Sequence, residues 1–152
     1  MTDDWGDLLG ALTAAGARFL VVGAHAMAVH GVPRGTQDLD VWIEPTPANA
    51  DRVWRALAAF GAPLDDLRVT PADLLHAGSV VQLGIPPNRI DLLTGLSGLP
   101  EFEAAWAARV EHAFAGCVVP FLGRAALIAN KRASGRRKDL ADLEALGELS
   151  PE

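Results

Sequence analysis

Cysteine is nearly absent from this chain of 152 residues: Cys117 stands alone. No internal disulfide can form, and a cytoplasmic location is the expectation. Histidine is also scarce and scattered, at His25, His30, His76 and His112. His25 and His30 are not spaced i, i+4, so they do not put two imidazoles on one helix face for zinc. No apolar run approaches the roughly 20 residues of a membrane span. The first residues, MTDDWGD, are acidic and lack the basic start of a signal peptide. Positive charge is short as well, with 13 Lys and Arg against 19 Asp and Glu and a net charge of −6. That balance argues against a general nucleic-acid binder and leaves room for a local basic site. No internal repeat, low-complexity tract or long linker divides the chain, so residues 1–152 read as one domain. The glycines between Gly31 and Gly35 lack P-loop spacing, and no Ser/His/Asp order is distinctive.

Half of the residues are hydrophobic, enough for a real core and too many for a disordered chain. Trp5, Leu8, Leu9 and Leu12 follow a helical period between Thr2 and Ala15, with Gly16 as the stop. Thr46-Pro47 is an N-cap followed by proline at the first helical position, and the helix it starts runs to Phe60 before Gly61. Thr70-Pro71-Ala72-Asp73 repeats that signal as a capping box for a short helix to His76. Residues 80–85 and 89–94 read as a hairpin, and so do 109–114 and 117–121, turning at Ala115-Gly116. A helix is expected over 100–108. Cys117 is expected to be a buried small apolar residue. From Gly123 onward the chain reads as two helices broken at Gly135.

The most informative stretch is FLVVGAHAMAVHGVPRGTQDLDVWIE, Phe19 to Glu44. An apolar β-type run ends at Gly23, a helix of small residues follows, and then comes Asp38-Leu39-Asp40-Val41-Trp42-Ile43. The side-chain period of a strand puts Asp38 and Asp40 on one face and Leu39, Val41 and Ile43 on the other. Strands are poor in aspartate, and two like charges on one face call for a neutralising partner. A divalent cation such as Mg²⁺ suits hard oxygen ligands. An isolated D-x-D is more often a solvated outer face. Asp91, on Arg89-Ile90-Asp91-Leu92-Leu93, is a third acid on an apolar strand; it can join the first two or simply pair with Arg89.

Near the C-terminus Asp139, Leu143 and Leu146 share one helix face. A carboxylate facing inward needs a cationic or hydrogen-bonding partner, and Lys131 is the candidate. Arg132, Arg136 and Arg137 read individually as solvated helix surface.

The order strand, Gly23, helix, Arg34-x-Thr36-x-Asp38-x-Asp40 resembles the nucleotidyltransferase superfamily of the DNA polymerase β type. It is most similar to the small bacterial branch that includes abortive-infection toxins and the minimal nucleotidyltransferases of toxin–antitoxin pairs. The resemblance extends to Asp91 and to Lys131 with the Lys138-Asp139 pair. It implies an α/β (α+β) fold with a short mixed sheet that carries the three carboxylates on one face or edge, and helices packed against it. It also implies Mg²⁺ or Mn²⁺ on Asp38, Asp40 and Asp91, and a nucleoside triphosphate donor, with ATP the first expectation. The donor would be held by Gly23, Ala24, Arg34, Thr36, Lys131, Lys138 and Asp139. The acceptor would be a hydroxyl on a protein (a cognate toxin or antitoxin), a tRNA end or a small molecule. Ala24 departs from the family's Gly-Gly or Gly-Ser pair and removes a hydroxyl. A catalytically inactive nucleotide-binding or protein-interaction module of the same fold is the alternative.

Overall fold

The computed structural model describes residues 4–33, 35–85 and 88–148. It is a mixed α/β structure. The helices are α1 (Asp4–Ala14), α2 (Gly23–Val29), α3 (Pro47–Phe60), α4 (Phe102–Ala107), α5 (Arg124–Ser134) and α6 (Arg137–Ala145). The strands are β1 (Phe19–Val22), β2 (Asp38–Ile43), β3 (Val80–Leu83), β4 (Arg89–Leu93), β5 (Val110–Phe114) and β6 (Cys117–Phe121). They form one sheet in the order β3-β4-β2-β1-β6-β5. The central strands β1 and β2 are antiparallel, and each has a parallel neighbour on its outer side, β6 and β4. The two expected hairpins, β3/β4 and β5/β6, close the edges as antiparallel pairs.

Local chemistry accounts for the boundaries. At the start of α3 the Thr46 hydroxyl accepts from the Asn49 N–H, Pro47 fills the first turn, and Gly61 ends the helix in the left-handed region. The helix expected over 70–76 is a single 3-10 turn, Pro71–Leu74, in which the Asp73 carboxylate accepts from the Thr70 N–H at 2.8 Å. Four residues make too few intrahelical bonds to propagate further.

One apolar cluster holds these layers together. All four residues of β1 are buried, as are Leu39, Val41 and Ile43 of β2. Helix α1 buries Leu8, Leu9 and Leu12 while packing on α3 and β6. Asn49 is a polar member of this interior. It accepts from the Arg18 N–H at 2.6 Å and donates to the Arg18 and Glu44 carbonyls, both at 2.9 Å, which ties the start of α3 to the sheet. Cys117 is half-buried rather than buried, because it opens β6 directly after the Ala115-Gly116 turn. No helix among the described residues is long and apolar enough to cross a membrane.

Candidate active-site cleft

The alternation in β2 works as its sequence requires. Leu39 and Val41 are fully buried, while Asp38 and Asp40 are only partly so. Trp42 shares the aspartate face but is buried, its ring meeting Phe102 edge-on at 5.0 Å. One end of that face is thus sealed by aromatics and the other opens into a cleft of about 710 Å³. Small-molecule sites span ~300–1,000 Å³. Gly23, Ala24, Thr36, Asp38 and Asp40 line the cleft, together with Lys131, Ser134, Arg136, Lys138 and Asp142. Helices α5 and α6 therefore bring cations to the same cleft as the β2 carboxylates.

Parallel pairing of β2 with β4 brings Asp38 beside Arg89 and Asp40 beside Asp91. Arg89 donates from Nε and Nη2 to the two oxygens of Asp91, at 3.2 and 3.1 Å, and its Nε lies 3.9 Å from Asp38 Oδ1. Burial pushes the Asp40 carboxyl up to about 6, and the charges of Asp91 and Asp38 push the same way. Arg89 and Lys138 oppose that rise without cancelling it. A negative charge at Asp40 is thus under-compensated by the protein, a setting that favours a bound cation.

The resemblance implies metal on all three carboxylates, and the β2/β4 pairing places Asp91 beside Asp40. Among the described residues no three His, Cys, Asp or Glu side chains are grouped so as to hold one ion. Asp91 lies next to Asp40 but does not line the cleft, and its carboxylate faces Arg89. Asp38 and Asp40 by themselves still fit Mg²⁺, which ordinarily takes one or two protein carboxylates and fills its shell with water and substrate phosphate.

Lys131 is buried and its Nζ lies 3.4 Å from Asp139 Oδ1 and 2.9 Å from Asp142 Oδ2. Asp139 is fully buried and also accepts from the Arg136 Nε at 2.7 Å and the Arg136 backbone N–H at 3.1 Å. Burial alone would raise the Asp139 carboxyl. The Arg136 hydrogen bonds, together with the Lys131 and Arg136 charges, outweigh it and hold the group below the usual carboxylate range. The resemblance puts Asp139 on the nucleotide, but the residue lies beneath Lys131 and Arg136 and does not line the cleft. Its place is to orient those two cations. Arg34 lies outside the described residues.

Arg136 is not the plain helix surface that its sequence suggests. It lines the cleft while capping α6 through Asp139 at i, i+3. The signal is present as Arg136-x-x-Asp139, a capping-box spacing with an unusual cap residue. Ser97, Asn130 and Ser134 also line the cleft. Sequence reasoning does not find them, because single polar residues on a loop and a helix carry no spacing signal. His25, in contrast, is a packed histidine, edge-on to Trp5 and to Phe114 at 4.9 Å each.

Gly23 has a reason that can be tested. Its φ is +68°, and a Cβ there would run into the Asp40 carboxylate. Gly23→Ala therefore combines left-handed strain with displacement of Asp40. It is expected to cost about 1–2 kcal/mol, a drop of roughly 2–8 °C in Tm for a chain of this size, measured by thermal melting. An unchanged Tm would mean that Asp40 moves aside freely.

Asp40 also predicts a pH dependence. Its folded-state carboxyl titrates above its unfolded value of 3.8. The stability linked to that raised value is fully present below the unfolded value and is lost as pH rises toward about 6. Asp40→Asn removes the effect. In metal-free buffer the variant should gain on the wild type between pH 4 and 7, by about 1 kcal/mol once screening by water is discounted, or ~2–4 °C. A Tm difference that stays constant over that range would contradict it.

No protein-family model matches this chain, and no curated protein matches it significantly.

Proposed function

We propose that this protein is an Mg²⁺-dependent nucleotidyltransferase that moves a nucleoside monophosphate from a nucleoside triphosphate to a hydroxyl acceptor. The observation that carries the reading is that Asp38 and Asp40 line one cleft together with Lys131, Arg136 and Lys138. Asp38 and Asp40 would hold the cation together with phosphate oxygens. When bound, that cation supplies positive charge where negative charge develops on the transferred group. Lys138 and Arg136 face the same volume and would attract the outer phosphates. Thr36 is tied to Asp38 on both sides, accepting from the Asp38 N–H at 3.1 Å and donating to its carbonyl at 3.2 Å. It would hold the entry to β2 in the register that points both aspartates into the cleft. In the reaction the acceptor oxygen forms a bond to the α-phosphorus, and the bridging bond to the β-phosphate breaks. Pyrophosphate leaves, and the hydroxyl proton passes to the carboxylate cluster.

The donor proposed first is ATP. The acceptor is proposed to be a hydroxyl of a protein partner, such as a cognate toxin or antitoxin, of a tRNA end or of a small molecule. The net charge of −6 weighs against tRNA unless it binds along the basic side of α5 and α6. A second reading, a nucleotide-binding module without turnover, is favoured by Ala24, which lines the cleft with no hydroxyl. Calorimetric titration with ATP, GTP, CTP and UTP, with and without Mg²⁺, tests the first step. Metal-dependent binding of one of them supports the cleft assignment, and absence of binding by all of them removes it. Release of pyrophosphate with labelled nucleotide and candidate acceptors then separates enzyme from module.

A further inference from the structure

We infer that Arg89 takes the place of a second cation in the carboxylate cluster, so that the cleft loads a single divalent ion on Asp38 and Asp40. The inference rests on the nucleotidyltransferase reading and deepens it. The β2/β4 register sets Asp38 and Asp40 on one strand beside Arg89 and Asp91 on the next. On each strand the two residues are spaced i, i+2, so their side chains emerge on one side of the sheet. The result is a four-residue square with three carboxylates and one guanidinium. When all are ionised its charge is −2, which one divalent ion neutralises. Arg89 does not merely sit nearby. It engages both oxygens of Asp91 in a paired geometry and reaches toward Asp38. A second metal at Asp91 would have to displace a guanidinium already in place on its own strand. It would also have to shed water that Mg²⁺ gives up reluctantly. Asp91 is 8% exposed and absent from the cleft wall, so an ion in the cleft has little direct access to it. Arg89 is a positioning residue in this account, because it acts through the carboxylates.

Counting Mn²⁺ tests the inference without turnover. The free ion would be read by electron paramagnetic resonance during titration of the full chain in the presence of a non-hydrolysable ATP analogue. The wild type should hold one Mn²⁺ per bound analogue, shared between Asp38, Asp40 and the phosphates and bound more tightly than by the analogue alone. Asp91→Asn should keep that ion with its Kd changed less than about threefold, whereas Asp38→Asn should weaken it at least about tenfold, ~1.4 kcal/mol. Arg89→Gln should gain a second Mn²⁺, and its Tm should rise with Mn²⁺ by more than the wild type's does. Two ions on the wild type, or loss of the single ion in Asp91→Asn, would overturn the inference and leave the nucleotidyltransferase reading standing. No ion on the wild type, with the analogue present, would overturn both. If Arg89→Gln does not fold, as judged by circular dichroism, the wild-type count and Asp91→Asn still decide.

Discussion

The Asp38→Ala/Asp40→Ala double variant should lose metal-dependent nucleotide binding while melting no lower than the wild type. Both side chains line the cleft, and both are only partly buried. They repel each other and Asp91, and after burial, the larger cause, that repulsion helps to raise the Asp40 carboxyl. Removing them from the metal-free protein relieves that repulsion, and both face the cleft rather than the apolar core. A carboxylate pair retained only for structure would show the opposite outcome, with lower stability and unchanged binding. With the two proposed ligands gone, affinity for Mg²⁺-nucleotide should fall on the order of 100-fold or more, equivalent to ~2.7 kcal/mol. Nucleotide transfer should fall at least as far, because the same contacts act on charge that grows in the transition state. Calorimetry and pyrophosphate release measure the two effects. A folded double variant that binds Mg²⁺-nucleotide as the wild type does would remove the metal assignment.

The second large effect is on stability. Asp139→Ala should cost about 3 kcal/mol, because truncating one partner of a buried charge network leaves the others uncompensated. The cost has two sources. Lys131, itself buried, keeps Asp142 but loses Asp139, and the Arg136 N–H at the start of α6 loses its acceptor. For a chain near 150 residues this is a fall of roughly 6–12 °C in Tm. The deficit should depend on pH with a definite sign. The Asp139 carboxyl titrates below its unfolded value of 3.8, so its contribution is present above that pH and is lost as pH falls through the folded value. Wild type and variant should therefore melt far apart at pH 7 and converge in strong acid. Equal melting at pH 7 would mean that the pair with Lys131 contributes nothing net. Nucleotide binding should weaken as well, since Lys131 and Arg136 lose the anchor that aims them.

Residues whose role is set by their own neighbours along the chain are legible in the sequence. The alternation in β2, the Thr46-Pro47 start and Gly61 stop of α3, and the hairpins at 80–94 and 110–121 all follow from periods and caps that act within a few residues. Lys131 with Asp139 is legible for a related reason. An acid on an apolar helix face has to be compensated, and the turn at Gly135 folds Lys131 of the preceding helix back onto it. The helix after Thr70 is shorter than its capping box suggests, since a cap signal marks where a helix begins and not whether it continues.

Backbone period and the cost of burying or crowding charge act locally. From the chain alone they dictate the order of elements, the face on which Asp38 and Asp40 lie, and the need for a cation near them. Long-range pairing settles the rest: that Arg89 and Asp91 stand beside Asp38 and Asp40, that Arg136 belongs to the cleft, and that Asp139 lies beneath it. The register of β2 on β4 and the docking of α6 against α5 are tertiary contacts of this kind. A shift of β4 by one residue would turn Arg89 and Asp91 to the opposite face. The alternation of Arg89 and Asp91 with the buried Ile90 and Leu92 fixes that face locally; which β2 residues stand beside them is fixed only by the sheet pairing.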